Sequence, residues 1–269
     1  MQNAETKHVV DILRRAGLAA KKRFSQSFLI DAGAAREIVG AVPDAARVIV
    51  EIGAGTGALT GLLAEAGRRV VAIEIDRGLA AHLRQAFRGR TEIEIVEADA
   101  LKFDFRAAAS DGPMAVVGNL PYAITTPLLE CVLEAMPPIA GAVIMVQREV
   151  AARMIAGPGS KTYGALSLFV QSYVTVERVL ELSPRAFFPR PNVASTVLRL
   201  APVASPVVSP ELRTAFRAVV RDAFNHRRKM LRNTFAPEQL VDAGIDGTRR
   251  AETLSVADFV RLARATPGP

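Results

Sequence analysis

Apolar runs alternate with amphipathic segments along the first half of the chain. Short, almost continuous runs rich in Val, Ile and Ala occur at 47–52, 70–75, 93–96, 114–117 and 142–146. Between them, apolar residues recur three and four positions apart, as at 34–42, 59–66, 79–87 and 126–135. Continuous apolar strands separated by helices predict a parallel sheet that is covered by helices on both faces. Two later strands are expected at 167–176 and 195–200.

The pattern changes after residue 201. Residues 201–210 contain three prolines and two serines, which is typical of a linker. Residues 211–235 then read as helical and strongly basic, with seven Lys or Arg against two acids. We therefore expect an α/β domain over 1–205 and a small, all-helical domain over 206–269.

Composition narrows the possible partners. The chain has 269 residues, a formal net charge of +7 and a pI near 10.1, which favours a polyanion such as nucleic acid. Cys131 is the only cysteine, so no internal disulfide forms, in agreement with a reducing cytoplasm. No apolar run approaches the roughly 18 residues of a membrane span, so no membrane partner is expected. The three histidines are scattered, and no metal site is expected.

Polar residues stand where four successive predicted strands end. They are the glycines of Gly53-Ala54-Gly55-Thr56-Gly57, then Glu74, Asp99 and Asn119. Open α/β sheets bind ligands at this edge. Glu74 is placed to accept the hydroxyls of a ribose, and Asp99 the amine of an adenine. Singly, these residues also fit a turn, a solvated carboxylate or a helix cap. Together they favour S-adenosylmethionine over NAD, because no second phosphate-binding half is visible.

The segment Gly118-Asn119-Leu120-Pro121-Tyr122 suits a planar base with an exocyclic amine. The Asn119 side-chain oxygen and a backbone carbonyl beside Pro121 are acceptors for that amine. Pro121 makes the segment rigid, and Tyr122 offers a ring on which an extruded base stacks. The alternative interpretation is an ordinary strand followed by a proline turn.

Six segments resemble the ribosomal RNA adenine N6-dimethyltransferase family, and most of all its bacterial small-subunit (16S) branch. They are residues 22–29, 53–60, 118–122, 156–164, 186–193 and 224–233. The resemblance implies a Rossmann-like, S-adenosylmethionine-dependent methyltransferase sheet with an N-terminal basic arm, followed by a helical, RNA-binding C-terminal domain. It also implies N6,N6-dimethylation of two adjacent adenosines near the 3′ end of 16S ribosomal RNA, with a role in subunit biogenesis.

The resemblance assigns roles at matching positions. It implies S-adenosylmethionine contacts at Ser27, Leu29, Gly53, Gly55, Glu74, Asp99 and Asn119. It implies catalytic or base-holding roles for Asn119, Leu120, Pro121, Tyr122 and Phe187. Phosphate contacts are expected from Lys22, Arg23, Arg148, Lys161, Arg190, Arg227, Arg228 and Lys229. Ser25 and Ser27 stand where the family usually has Gly and Asn, which puts a side-chain contact at 27 in doubt.

The expected partner is 16S ribosomal RNA within the small subunit or its precursor, met by a cytoplasmic monomer. S-adenosylhomocysteine would be the product, and no metal is required. Two alternatives share much of this pattern: a 23S ribosomal RNA methyltransferase of the macrolide-resistance type, and a mainly non-catalytic assembly factor of the small subunit. A DNA adenine methyltransferase is less consistent, because such enzymes more often carry D/N-P-P-Y than N-L-P-Y.

Overall fold

The computed structural model describes residues 2–15, 26–108, 112–121, 124–135, 139–204 and 207–266. Contacts between Cα atoms divide the chain into two compact units. The first unit holds residues 1–151 and 177–201, and the second holds 152–176 and 202–269. Residues 152–176 thus belong to the second unit, although they precede the boundary that we predict at 205/206. Their apolar side chains explain this, since Tyr163 and Leu168 are buried in the same core as Phe216 and Phe259.

A seven-stranded sheet is the centre of the first unit. In spatial order its strands are β4 (Ile93–Glu97), β3 (Arg69–Glu74), β2 (Val48–Ile52), β5 (Met114–Asn119), β6 (Ile139–Gln147), β9 (Ser195–Pro202) and β7 (Val174–Leu182). The first five strands are parallel, and β9 is antiparallel to β6. The predicted parallel sheet is confirmed, with an antiparallel strand added at one side.

The apolar runs form strands because both faces of the sheet are buried. Every residue of β2 is buried, and Ile49 and Val50 have no measurable exposure. Burial of each such side chain contributes about 1.5–3 kcal/mol relative to its exposure. A separate two-stranded antiparallel pair joins β1 (Phe28–Leu29) to β8 (Phe187–Phe188), in which Leu29 faces Phe187 across the pair. This pair brings the segment around Ser27 to the sheet.

The helices follow the amphipathic segments, with bounds close to those predicted in the first unit. They are α1 (Gln2–Arg15), α2 (Ala32–Gly40), α3 (Thr60–Glu65), α4 (Arg77–Ala86), α5 (Phe105–Ala108), α6 (Thr125–Glu134), α7 (Arg148–Ile155), α8 (Ala165–Gln171), α9 (Arg213–Asn225), α10 (Pro237–Asp242) and α11 (Val256–Arg264). Asp31 and Asp76 cap α2 and α4, since each carboxylate accepts a backbone N–H of the first turn.

Two predictions about the second unit are wrong in part. Residues 167–171 lie in α8 and not in a strand, because the Ser167 hydroxyl accepts the Gly164 N–H at 3.1 Å and starts a helix there. The strand β7 begins only at Val174. The basic helix expected over 211–235 ends at Asn225, and residues 231–233 form a short 3-10 turn.

Candidate active site

The four predicted polar positions lie on four neighbouring strands. Across the sheet the order is β4, β3, β2 and β5. Asp99 follows the end of β4 by two residues, Glu74 is the last residue of β3, the glycine loop follows β2, and Asn119 is the last residue of β5. The chain therefore gathers these residues along the carboxyl edge of the sheet. This edge is where open α/β sheets bind ligands.

The glycine loop is fastened to the neighbouring strand through Glu74. The Gly55 N–H donates to Glu74 Oε2 at 2.9 Å, and the Asp76 N–H donates to Glu74 Oε1 at 2.8 Å. Gly55 has a φ of +60°, and a Cβ there would lie 3.1 Å from the Phe28 ring. Only glycine adopts this backbone without strain. Burial raises the pKa of the Glu74 carboxyl, and the backbone donors oppose the rise by stabilising the ionised form.

Glu51 is a buried carboxyl that we did not single out from the sequence. It lies in β2, is 2% exposed, and accepts the Thr60 hydroxyl at 2.6 Å. Burial raises the pKa of Glu51 to about 8; the Thr60 hydrogen bond lowers it and the charge of Glu74 raises it further. Glu51 therefore holds its proton at neutral pH and is a neutral hydrogen-bonding group beside the glycine loop.

Replacing Glu51 with Gln is expected to flatten the dependence of stability on pH. Because the pKa of Glu51 in the folded state is raised above its unfolded value, Glu51 destabilises the folded protein progressively as pH rises from about 4.5 to about 8. A tenfold difference in proton affinity between the folded and unfolded states corresponds to about 1.4 kcal/mol. The glutamine side chain stays neutral and still accepts from Thr60. Melting temperatures of both proteins across this pH range test the point: the E51Q protein should gain on the wild type toward pH 8, and parallel profiles would contradict it.

A backbone carbonyl fixes the orientation of the Asn119 amide. Asn119 Nδ2 donates to the Ser27 carbonyl oxygen at 3.1 Å. Since an amide has its donor and acceptor on opposite arms, this bond commits the nitrogen to Ser27 and leaves Oδ1 as an acceptor on the other arm. Ser27 thus contacts Asn119 through its main chain and not through its side chain.

The turn after Asn119 holds a second acceptor, on Leu120, a residue that is 1% exposed. The Pro121 carbonyl accepts the Ile124 N–H at 3.1 Å and the Thr125 hydroxyl at 3.0 Å. The Leu120 N–H donates to the Met145 carbonyl at 3.0 Å. In the described part of the chain no donor reaches the Leu120 carbonyl oxygen. The segment therefore has one acceptor on a side chain, at Asn119, and a second on the backbone, at Leu120.

Ser27, Asn119 and the glycine loop line a cleft with about 390 Å³ of empty volume, including the part that is open to solvent. Its lining residues are Ser27, Phe28, Leu29, Glu51, Gly53, Ala54, Gly55, Thr56, Ala58, Leu59, Asn119 and Met145. The lining combines apolar side chains with a few polar groups, as in small-molecule sites generally. Five predicted cofactor contacts line the cleft, and Glu74 reaches the cleft's glycine loop through Gly55.

Two other predicted site residues, Asp99 and Phe187, are not among the lining residues of this cleft. Asp99 does not line this cleft; its carboxylate caps a 3-10 turn by accepting the Leu101 N–H at 3.0 Å. Phe187 is 1% exposed and packs in the core of the first unit, so base stacking on it requires its ring to become accessible. Tyr122, Lys22 and Arg23 lie outside the described residues.

The structure describes six of the basic residues that we predict to contact phosphates. They differ in how far their side chains are engaged in other contacts. Arg148 and Arg190 are exposed in the first unit, and Lys161, Arg228 and Lys229 are exposed in the second. Arg227 is more constrained. Its Nε donates to Glu252 at 2.7 Å and its Nη2 to the Lys161 carbonyl at 2.8 Å. Arg227 therefore holds the loop that carries Lys161.

The described residues contain no group of three or more His, Cys, Asp or Glu side chains arranged to hold a metal ion. Within the same ranges, every helix is too short or too polar to span a bilayer.

Comparison with known proteins agrees with this geometry. A ribosomal RNA small subunit methyltransferase A from Burkholderia sp is 45% identical over 262 residues, covering 93% of this chain and 94% of that protein. The crystal structure of a Plasmodium falciparum dimethyladenosine transferase has a TM-score of 0.74 at 24% identity, over 87% of this chain and 95% of its own. The crystal structure of the 23S rRNA methyltransferase ErmE has a TM-score of 0.66 at 29% identity, over 88% of this chain and 98% of its own. The fold is thus the predicted Rossmann-like methyltransferase fold. The profile of the ribosomal RNA adenine dimethylase family matches residues 17–266, and the chain belongs to that family.

Proposed function

We propose that this protein transfers methyl groups from S-adenosylmethionine to the N6 atoms of two adjacent adenosines near the 3′ end of 16S ribosomal RNA, in the small subunit or its precursor. The observation that carries the proposal is the Asn119 amide, whose nitrogen is bound to the Ser27 carbonyl and whose oxygen is left as an acceptor. It stands at a cleft formed by a glycine loop, in a chain of the ribosomal RNA adenine dimethylase family.

The residues present fit the proposed cofactor. The glycine loop lets the backbone come close to a ligand, and Gly53 is exposed toward solvent. Glu74 would accept a ribose hydroxyl, because a carboxylate has about four acceptor sites and three backbone N–H groups, those of Gly55, Ile75 and Asp76, donate to it. Leu29 supplies apolar lining to the cleft. Asp99 follows β4, the strand beside the one that Glu74 ends, and would accept the adenine amine there. When bound, S-adenosylmethionine supplies an electrophilic methyl group.

Asn119 and Leu120 would prepare the amine. The lone pair of an adenine N6 is delocalised into its ring, so the nitrogen is a weak nucleophile. Asn119 Oδ1 and the Leu120 carbonyl would accept its two hydrogens, which favours a pyramidal nitrogen and directs the lone pair. Such alignment is worth at most roughly 7–11 kcal/mol of barrier. The alkylated amine is acidic and loses its proton to water, so a strong base is not required. Pro121 keeps the turn rigid, and Tyr122 would stack on the base. Phe187 would stack on it only when its buried ring becomes accessible.

Recognition of the RNA is proposed to rest on exposed cations. Arg148 and Arg190 belong to the first unit, and Lys161, Arg228 and Lys229 to the second. Arg227, which holds the Lys161 loop, contributes mainly by positioning it. Lys22 and Arg23, in the basic arm before Ser27, would add phosphate contacts. We place the protein in the cytoplasm as a monomer.

Two other functions are weaker candidates. The 23S enzyme ErmE is 29% identical to this chain, whereas the small-subunit relative is 45% identical. A purely structural role in subunit assembly would not require the oriented Asn119 amide and the fastened glycine loop. An assembly role beside catalysis is compatible with the site.

Incubation with labelled S-adenosylmethionine and separated, unmodified ribosomal subunits tests the proposal. We expect label only in the small-subunit RNA, in dimethylated adenosines at two adjacent positions. Label in the large-subunit RNA would favour the 23S activity. Binding to small subunits without any label would favour the assembly factor.

A further inference from the structure

Met145 lies beside Asn119 in the sheet of the first unit. The two residues are paired in the parallel strands β6 and β5, and on its other side Met145 is paired with Val197 of β9. Paired residues of neighbouring strands point their side chains to the same face of a sheet, and such strands are about 4.8 Å apart. The Met145 side chain is therefore an immediate neighbour of the Asn119 amide.

Met145 also forms part of the wall of the cleft. It lines the cleft together with Asn119 and Leu29. It is 2% exposed and belongs to the buried cluster that contains Leu29 and Phe187. Its carbonyl oxygen accepts the Leu120 N–H at 3.0 Å, so its backbone is fixed to the turn that follows Asn119. Both proposed acceptors for the N6 hydrogens, at Asn119 and Leu120, are thus adjacent to this one residue.

The two methyl transfers of the proposed function make different demands on this wall. In each transfer the N6 lone pair forms a bond to the methyl carbon, whose bond to sulfur breaks with its electron pair kept by sulfur, and N6 then loses a proton to water. Before the first transfer N6 carries two hydrogens, and before the second it carries one hydrogen and one methyl group. That methyl group cannot donate to an acceptor. It needs space beside the acceptors that the hydrogen did not need.

Methionine suits a wall that has to yield. Its side chain is unbranched, with three rotatable bonds, so it changes shape without a shift of the backbone. Val197, the neighbour of Met145 on the side away from Asn119, is fully buried and branched at Cβ, which restricts its rotamers. The adaptable side chain thus stands next to Asn119 and the stiff one behind it. The alternative interpretation is that Met145 only fills the core, as buried methionines commonly do.

We propose that Met145 is a specificity-determining residue, whose side chain makes room for the methyl group that N6 carries into the second transfer. The inference rests on the proposed function for the reaction itself. It adds to that function the residue that decides whether one nitrogen receives one methyl group or two. A residue that only fills the core would affect both transfers alike, so the ratio of their rates distinguishes the two interpretations.

The test compares three variants of the full chain. M145I keeps the apolar volume of the side chain but adds a branch at Cβ that restricts its rotamers, and M145A removes most of the wall. M114I is the matched control, since Met114 is fully buried at the opposite end of β5 and does not line the cleft. Each protein, in excess, is mixed with unmodified small subunits and saturating labelled S-adenosylmethionine. Chromatography of the digested RNA follows N6-methyladenosine and N6,N6-dimethyladenosine over time, and thermal melting checks folding.

M145I is expected to slow the second transfer relative to the first on the order of 10- to 100-fold, the range that one carbon makes in an apolar pocket. N6-methyladenosine should therefore accumulate. In M145A the ratio of the second rate to the first should equal or exceed that of the wild type, whatever the two rates are. M114I should keep the wild-type ratio. If M145I does not melt cooperatively, M145L, branched one carbon further out, is expected to shift the ratio in the same direction.

An unchanged ratio in M145I would overturn the proposal. Accumulation of N6-methyladenosine in M145A or in M114I would overturn it as well, because a general loosening of the first unit would then explain the effect. These outcomes are separable from failure of the proposed function. A wild-type protein that forms no dimethylated adenosine in the small-subunit RNA counts against the proposed function. Normal dimethylation by the wild type, together with an unchanged ratio in M145I, counts against the role of Met145 alone.

Discussion

Asn119→Ala is expected to lower turnover on the order of 10²- to 10³-fold while leaving the protein folded. The variant loses the side-chain acceptor that the proposed mechanism assigns to the N6 hydrogens. Loss of one well-placed hydrogen-bonding group at a reacting centre typically raises the barrier by about 3–4 kcal/mol. Asn119 lies at the end of a strand and is only partly buried, so its truncation leaves no cavity in the core.

The measurement separates chemistry from binding. Single-turnover methyl transfer gives the rate of the chemical step, and equilibrium dialysis gives the affinity for S-adenosylmethionine. We expect a large fall in rate and a change of less than about tenfold in affinity, since the other cleft residues are intact. Wild-type turnover in the N119A protein would rule out the assigned role.

A second variant isolates the role of the Ser27 carbonyl. Asn119→Asp keeps the size of the side chain and an acceptor oxygen, but it removes the N–H that donates to Ser27. A carboxylate facing a carbonyl oxygen is repelled by it, so the oriented acceptor is lost. The N119D protein should therefore be impaired nearly as much as the alanine variant. Near-normal rates in N119D would mean that orientation by Ser27 is unimportant.

Gly118→Ala is expected to destabilise the first unit by about 3 kcal/mol or more. An added Cβ would lie 2.5 Å from the Ile52 carbonyl oxygen and 3.1 Å from its Cβ. Gly118 and Ile52 are paired in β5 and β2, at the centre of the sheet, where the backbone cannot shift without disturbing both strands. Overpacking of this kind ranks among the largest single-residue effects.

Thermal unfolding measures the Gly118 effect. A loss of about 3 kcal/mol corresponds to a fall of roughly 6–12 °C in Tm for a domain of this size. Gly40→Ala is the matched control, since Gly40 ends α2 and a Cβ there meets nothing within 4 Å. That change should be neutral or slightly stabilising, because Ala favours a helix over Gly. Equal Tm values for G118A and G40A would contradict the close approach of the two strands.

Much of the catalytic fold could be predicted because its strands are encoded locally. A strand buried on both faces needs an almost unbroken apolar run, and β2, β3 and β5 each have one. The positions where the strands end define the edge of the sheet that carries the candidate site. Glu74 and Asn119 could therefore be placed on the same edge from their spacing in the sequence alone. The strand predicted at 167–176 failed because an apolar run of that length fits a buried helix equally well. In the structure the Gly164 N–H donates to the Ser167 hydroxyl at the start of the helix α8.

Contacts that depend on tertiary structure could not be predicted. The Glu51–Thr60 bond joins residues nine positions apart, and although the apolar run 47–52 predicts a buried strand, nothing in the sequence shows which partner the Glu51 carboxyl has. Ser27 and Asn119 are 92 positions apart, and their contact involves a main-chain atom. Likewise, the seven basic residues after 211 gave no sign that Arg227 would hold a loop while Arg213 and Arg217 would stack on rings.

The bond from Asn119 to Ser27 has a consequence for substitution during evolution. Every amino acid carries a backbone carbonyl, so this contact constrains the conformation at position 27 and leaves the choice of side chain free. A residue can change there without disturbing the orientation of the Asn119 amide, provided that β1 keeps its register with β8. What the contact constrains at this position is a backbone path, which a serine follows as well as any other residue that can adopt it.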